Sequence, residues 1–179
     1  MELSETVDTY LKYEDNVVWF YADIDDGTCL QLNALLRHID KSLAHTTEPI
    51  IHLHINSGGG AVLAAMSVID TLCSLRSQVY TYVEGGVASA ATLISCTADK
   101  RYMGRYSYML IHQVSCESSG KIDELESDVK NTRQLMEDIE NIYKKFTKLK
   151  GVKLKDLLKQ DKWINAADCL KYGLVDEII

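Results

Sequence analysis

The residues that could carry chemistry stand in or beside two glycine-rich turns. Ser89 lies in the stretch GGVASAATLIS, just after Gly85 and Gly86, among small residues that would let a carbonyl group reach its hydroxyl. At the head of a helix, the amide of Ala90 would be a first-turn donor without a helical partner, and such a donor can stabilise an oxyanion. Taken alone, however, a serine in this position is more often a helix N-cap than a nucleophile. The local sequence therefore leaves both interpretations open.

The second glycine-rich turn, in INSGGGAV, follows the strand-like stretch PIIHLHIN. It has neither the lysine of a nucleotide phosphate loop nor the GxGxxG spacing of a dinucleotide site. What remains is a turn whose backbone amides can face a ligand without obstruction by side chains. A tight turn with no ligand is the simpler interpretation if this turn is considered by itself.

Groups that could assist a nucleophile occur later in the chain. His112 ends the apolar stretch SYMLIHQ, and the ordinary pKa of histidine suits a general base, although a histidine at a strand edge is the simpler interpretation. An acidic residue could orient it. Asp161, in QDKWINAADCLKYGLVDEII, is one of three such candidates, together with Asp99 and Asp176.

Composition limits the remaining function classes. The net charge is −7 and no basic cluster stands out, which argues against a nucleic-acid or acidic-membrane surface. No apolar run reaches the length of a membrane span, and the acidic N-terminus does not have the pattern of a secretory signal. The five scattered cysteines form no CxxC pair, so we expect reduced thiols and a cytoplasmic protein. His52 and His54 alternate on one strand without a third ligand at a suitable spacing, so we predict no metal and expect them to pack beneath a helix.

The elements that must position these residues alternate between strand and helix over the first hundred residues. The predicted strands are 16–25, 49–56, 78–84, 100–103, 107–114 and 174–179, and the predicted helices are 26–45, 61–75, 88–98, 154–160 and 166–172. Such alternation predicts βαβ units and a mainly parallel sheet, in which ligands bind beyond the carboxyl ends of the strands. Both glycine-rich turns fall at such ends.

A long amphipathic helix is predicted over residues 119–150, with Ser119 as its cap and Gly151 at its end. Its apolar residues recur at a spacing of three and four: Ile122, Leu125, Val129, Thr132, Met136, Ile139, Tyr143 and Phe146. A stripe this narrow can lie on the helix's own domain or pack against a second copy. In the second case the protein is an oligomer.

Four motifs, INSGGGAV, GGVASAATLIS, YMLIHQ and QDKWINAADCLKYGLVDEI, together resemble the ClpP family of compartmentalised serine peptidases from about Val17 to Ile179. The resemblance implies an α/β fold of the ClpP/crotonase type, a spiral of βαβ units with a projecting handle helix. It implies one peptidase domain over residues 1–179. The head of this domain would be about 16–114 and 151–179, and its handle about 119–150.

The resemblance also implies roles for single residues. Ser89 matches the nucleophile, His112 the general base and Asp161 the residue that orients the histidine, while the amides of Gly60 and Ala90 match the oxyanion hole. The implied activity is hydrolysis of peptide bonds in unfolded proteins or peptides, by chemistry that needs no ATP, metal or other cofactor. Two alternatives stay open: an inactive ring subunit or scaffold, and a crotonase-type acyl-CoA enzyme. The presence of all three triad residue types counts against the first, and the customary use of carboxylates in such enzymes counts against the second.

The partners implied by the resemblance are further copies of the chain and a polypeptide substrate. The copies would form a heptameric ring, stacked through the handle helix as a tetradecamer. The N-terminus is shorter than an axial gating loop requires, which argues against docking of an AAA+ unfoldase. Gly58 and Val114 stand where the family has prolines, which predicts more mobile loops, and Gln160 replaces a basic residue that couples ring contact to the site. Short members of this kind resemble phage-encoded relatives, and a viral protein would act in the host cytoplasm.

Overall fold

Strands and helices alternate through residues 10–179, the part of the chain that the computed structural model describes. The strands are β1 (Leu11–Glu14), β2 (Val17–Phe20), β3 (Ile50–Ser57), β4 (Gln78–Ala88), β5 (Lys100–Met103), β6 (Tyr108–Leu110), β7 (Ile164–Asn165) and β8 (Glu177–Ile178). The helices are α1 (Asp26–Ser42), α2 (Val62–Ser74), α3 (Ala90–Cys96), α4 (Ile122–Phe146), α5 (Gly151–Leu158) and α6 (Ala166–Tyr172), and a 3₁₀ turn, Leu43–His45, follows α1. The sequence patterns predict neither β1 nor β7, which are short strands paired antiparallel to their neighbours.

The sheet is mainly parallel, and the predicted α/β fold is confirmed. Strands β2, β3, β4, β5 and β8 pair in parallel in that order, while β1 pairs with β2 at one edge. This mixed architecture agrees with the ClpP/crotonase-like fold that the resemblance implies. Within residues 10–179, no helix has the length and apolarity needed to cross a bilayer. The expectation that the N-terminus is too short for an axial gating loop falls on the residues before β1. Of these, residues 1–9 lie outside the described part.

The composition of GGVASAATLIS suggests that the strand breaks at its paired glycines, but β4 does not break there. It continues through them to Ala88 and changes partner on the way. Tyr80 to Val83 pair with β5, whereas Gly86 to Ala88 pair with β6. Gly85 has a φ of 61°, a conformation that glycine adopts without strain, and it marks the point where the strand turns from one neighbour to the other. The residues that pair with β6 end at Ala88, so the new pairing positions the residue that follows, Ser89.

Helix α4 is shorter than the predicted range 119–150. Ser119 does not cap it; the side chain of Glu124 instead accepts a hydrogen bond from the Lys121 amide at 2.9 Å. Gly151 does not end it either, because Gly151 is the first residue of α5. The helix stops earlier, at Phe146, and the following residues turn back toward the sheet. The division of one domain into head and handle stays a prediction.

The N-terminal half of α4 is largely exposed. The buried residues of the helix, Ile139 and Tyr143, lie in its C-terminal half. By contrast, Ile122 is 74% exposed and Val129 is 50% exposed, although both belong to the apolar stripe. The stripe is therefore covered by the chain's own core only near the C-terminal end of the helix.

His52 and His54 lie on the sheet face turned away from the helices, so the prediction that they pack beneath a helix is wrong. The physical reason is the alternation of β3: Ile51 and Leu53 point to the helix side and are fully buried. On the opposite face His54 stacks on Tyr82 with ring centroids 4.4 Å apart, and His52 Nδ1 lies 2.8 Å from the Tyr82 hydroxyl. These histidines are half-buried by aromatic neighbours on adjacent strands.

Arg101 in β5 joins the ends of several elements. Its guanidinium binds both carboxylate oxygens of Asp176, at 2.6 and 3.0 Å, and donates to the carbonyls of Phe146 at 2.6 Å and Gly173 at 2.9 Å. Burial raises the pKa of Asp176, but the hydrogen bonds and charge of Arg101 outweigh it, so that this pKa is lowered from 3.8. The ends of α4 and α6 are thereby fixed to the sheet.

We expect Arg101→Met to lower the free energy of unfolding by about 3 kcal/mol, because it removes the cation paired with a partly buried carboxylate and the donor to two carbonyls. The exposed Arg105, changed to Met, is the matched control and should shift it by less than about 0.5 kcal/mol. The pKa of Asp176 is depressed in the folded state, so its contribution is present above the unfolded pKa and is lost as the pH falls through the folded value. Urea unfolding should therefore show the difference between wild type and Arg101→Met shrinking in acid; equal effects of the two variants would contradict this account.

Candidate active site

Ser89 occupies the junction between β4 and α3 in a strained backbone conformation. Its φ is 54° and its ψ is −129°, values that residues other than glycine rarely adopt. Its amide donates to the carbonyl of Leu110 at 2.8 Å, which holds the junction against β6. Its side chain makes no capping hydrogen bond to α3, although the residue sits at the N-cap position. The capping role that the local sequence left open is therefore not the one that the hydroxyl performs.

Gly59 approaches the junction so closely that no side chain fits there. A Cβ at this position would lie 2.6 Å from the Ala88 carbonyl oxygen, 2.6 Å from Ser89 Cβ and 3.0 Å from the Ala90 nitrogen. Its φ of 94° also favours glycine. The turn SGGG is thus packed directly on the junction that follows Gly85 and Gly86. Reasoning from the sequence missed this residue, because in a run of three glycines nothing distinguishes the one at the contact.

The amides of Gly60 and Ala90 lie beside this contact. Gly60 forms a parallel bridge with Ile24: the Ile24 amide donates to the Gly59 carbonyl at 2.8 Å, and the Ala61 amide donates to the Ile24 carbonyl at 2.7 Å. In a bridge of this pattern the intervening Gly60 amide points away from Ile24 and takes no part in the bridge. Ala90 begins α3, so its amide has no partner within the helix. Two backbone donors can therefore serve a negatively charged oxygen next to Ser89.

His112 and Asp161 are brought together from separate elements. His112 follows β6, and the next residue, Gln113, donates its amide to the carbonyl of Leu158 at 2.8 Å. This bond holds the segment after β6 against the end of α5, three residues before Asp161. His112 Nδ1 lies 3.8 Å from Asp161 Oδ1, which is an ion-pair distance and longer than a hydrogen bond. The Asp161 side chain is 86% exposed.

The other two acidic candidates have structural partners elsewhere. Asp99 accepts a hydrogen bond from the Val79 amide at 2.7 Å, and Asp176 is bound by Arg101. Of the three, Asp161 is the carboxylate that contacts His112. Within residues 10–179, no group of three or more histidine, cysteine, aspartate or glutamate side chains is arranged to hold a metal ion.

Comparison with known proteins shows which family the sequence matches. The family model described as Clp protease matches residues 4–179. A Rhodococcus jostii protein named ATP-dependent Clp protease proteolytic subunit 4 is 29% identical over 167 residues, covering 92% of this chain and 84% of the relative. Proteins named ATP-dependent Clp protease proteolytic subunit from Bigelowiella natans and Streptococcus mutans are 26% and 29% identical, covering 97% and 93% of this chain and 89% and 85% of the relatives.

Gly59→Ala should lower the free energy of unfolding by about 3 kcal/mol, because the new methyl group meets backbone atoms that cannot move away and because the φ is unfavourable. Gly58→Ala is the matched control, since its nearest neighbour would be Asp23 Oδ1 at 4.0 Å, an ordinary contact. We expect it to change stability by less than about 0.5 kcal/mol. Urea unfolding measures both variants, and equal losses would mean that the close approach of Gly59 is not needed.

Proposed function

The chain belongs to the Clp protease family, and we propose that it is a serine endopeptidase that hydrolyses peptide bonds in unfolded proteins or peptides. One observation carries the proposal. The Ser89 hydroxyl projects from a strained strand-to-helix junction without capping the helix, and the backbone amides of Gly60 and Ala90 lie next to it. The names of the three relatives, each a proteolytic subunit, support the same activity.

The proposed mechanism uses Ser89, His112 and Asp161 as a catalytic triad. Nε2 of His112 accepts the Ser89 proton as Oγ attacks the carbonyl carbon, and the amides of Gly60 and Ala90 donate to the resulting oxyanion. His112 then protonates the leaving amine, and water releases the acyl group from Ser89. Asp161 faces Nδ1 of His112 at 3.8 Å, which supports a role in holding the ring so that Nε2 is available. We expect this distance to shorten to a hydrogen bond in the substrate-bound state.

We also propose that the chain assembles through α4. The exposed apolar stripe around Ile122 and Val129 supports this, because a second copy would remove it from water. By analogy with the family, the assembly would be a heptameric ring, stacked as a tetradecamer that encloses the sites. Cytoplasmic localisation, in the host if the protein is viral, remains a prediction. The expectation that docking of an AAA+ unfoldase is doubtful falls on residues 1–9, which lie outside the described part.

The activity is tested with a fluorophosphonate probe, which forms a covalent adduct with an activated serine. The assembled wild-type protein should be labelled, and Ser89→Ala should abolish labelling and reduce hydrolysis of a short peptide ester by at least about 10³-fold. His112→Ala should reduce both to a similar extent, because the hydroxyl then has no base.

The matched control is Ser95→Ala in α3. It removes a buried hydroxyl that has no hydrogen-bond partner within residues 10–179. It should keep full labelling. If Ser89→Ala retains hydrolysis, the nucleophile is wrongly assigned. If the assembled wild type is not labelled, the inactive ring subunit becomes the better explanation, and selective retention on a CoA column would favour the acyl-CoA enzyme.

Assembly is tested by light scattering at micromolar concentration. The wild type should have seven or fourteen times the 20.1 kDa mass of one chain. Val129→Asp places a charge on the exposed stripe and should shift the protein to smaller species, since burying an unpaired charge is costly. Asn131→Asp adds the same charge away from the stripe and should leave the mass unchanged. A monomeric wild type would contradict the proposed role of α4.

A further inference from the structure

We propose that Thr92 and Tyr143 are positioning residues that fix the peptide unit between Ser89 and Ala90, so that the Ala90 amide is directed at the oxyanion. The inference rests on the proposed function. It concerns two side chains that do not contact the substrate: one is on α3, and the other is at the buried end of α4.

The contacts form a chain of hydrogen bonds that ends on the nucleophile's own carbonyl. Thr92 Oγ1 lies 2.6 Å from the Ser89 carbonyl oxygen and 2.6 Å from the Tyr143 hydroxyl. The Thr92 amide also donates to the same carbonyl at 3.0 Å. A carbonyl only accepts, so the Thr92 hydroxyl donates its one hydrogen to Ser89. The Tyr143 hydroxyl must then donate to Thr92.

The planarity of the peptide bond transmits this anchoring to the oxyanion hole. The carbonyl of Ser89 and the amide of Ala90 belong to one rigid plane and point in opposite directions. Two hydrogen bonds from Thr92 fix the carbonyl, and the direction of the Ala90 N–H is fixed with it. Such anchoring is needed here because the φ of 54° and the ψ of −129° at Ser89 form a strained combination, and rotation about ψ would turn the Ser89–Ala90 peptide.

Burial strengthens both bonds. Thr92 is 0% exposed and Tyr143 is 1% exposed, so water does not compete for either hydroxyl. Burial, with a smaller contribution from Cys96, raises the pKa of Tyr143 well above its usual value despite the opposing hydrogen bond with Thr92, and the hydroxyl stays a donor. Donation to a peptide carbonyl also polarises that peptide and makes its amide a better hydrogen-bond donor. Both effects favour the transition state, in which the oxyanion forms.

The experiment compares variants that remove a hydroxyl with little change in shape. For a short peptide ester and the assembled protein, Thr92→Val should lower kcat about 10-fold with KM within about 2-fold, because the oxyanion contact is made only in the transition state. Tyr143→Phe should lower kcat about 3-fold in the same way. Thr92→Ser keeps the hydroxyl and should restore kcat to within about 2-fold of wild type.

Thr81→Val is the matched control. Thr81 is also 0% exposed, and its Oγ1 donates to the Ser95 carbonyl of the same helix at 3.1 Å, away from the Ser89–Ala90 peptide. It should lower the melting temperature as Thr92→Val does, yet leave kcat within about 2-fold. The double variant Thr92→Val with Tyr143→Phe should lose no more kcat than Thr92→Val alone, because the two hydroxyls act in series.

The outcomes separate this inference from the proposed function. If Thr81→Val and Thr92→Val lower kcat equally, or if Thr92→Val changes only KM, the positioning role is overturned and the peptidase stands. A wild-type protein that neither reacts with the fluorophosphonate nor hydrolyses the ester overturns both. Should Thr92→Val fail to fold, Tyr143→Phe decides: it keeps the buried ring, and an unchanged kcat in that variant overturns the inference.

Discussion

The backbone at Ser89 is held in a conformation that a serine does not favour, and the surrounding elements are arranged to keep it there. A φ of 54° at a residue other than glycine costs on the order of 1–3 kcal/mol. The junction is held by the Leu110 carbonyl, by Thr92 and by the backbone of Gly59, which packs where a side chain would collide. All seven residues of α3 are buried, and the packing of this helix offsets the strain. The pairing of β4 with β6, the close approach of Gly59 and the burial of α3 all act on this one residue.

Much of this arrangement can be predicted from the sequence, because the signals are local. The alternation of apolar strands with amphipathic helices predicts the parallel sheet. The predicted helix 166–172 is followed by a glycine, Gly173, which ends α6 in the left-handed conformation that glycine favours there. The continuation of β4 through Gly85 could not be predicted. Glycine pairs disfavour strands locally, and the pairing with β6, 22 residues later in the chain, and with Ser57 of β3 outweighs that preference.

The supporting contacts of the site are harder to predict for the same reason. Tyr143 belongs to the apolar stripe of α4, and nothing in that spacing indicates that its hydroxyl meets Thr92, 51 positions earlier. Gly59 is hidden within three consecutive glycines. The proposed triad residues lie within recognisable sequence motifs. The residues that orient them are identified only by contacts between elements that are distant in the sequence. The sequence alone therefore identifies the candidate chemistry better than it identifies what holds that chemistry in place.

The partner change of β4 also constrains how the chain can vary in length. Residues Gly86 to Ala88 pair one by one with β6, and the Ser89 amide continues that ladder to Leu110. Side chains alternate between the two faces of a strand, so one inserted residue between Gly86 and Ser89 would turn the serine to the opposite face. Substitutions that keep the side chains small leave this register intact. In evolution, this short stretch should therefore accept changes of residue type more readily than insertions or deletions.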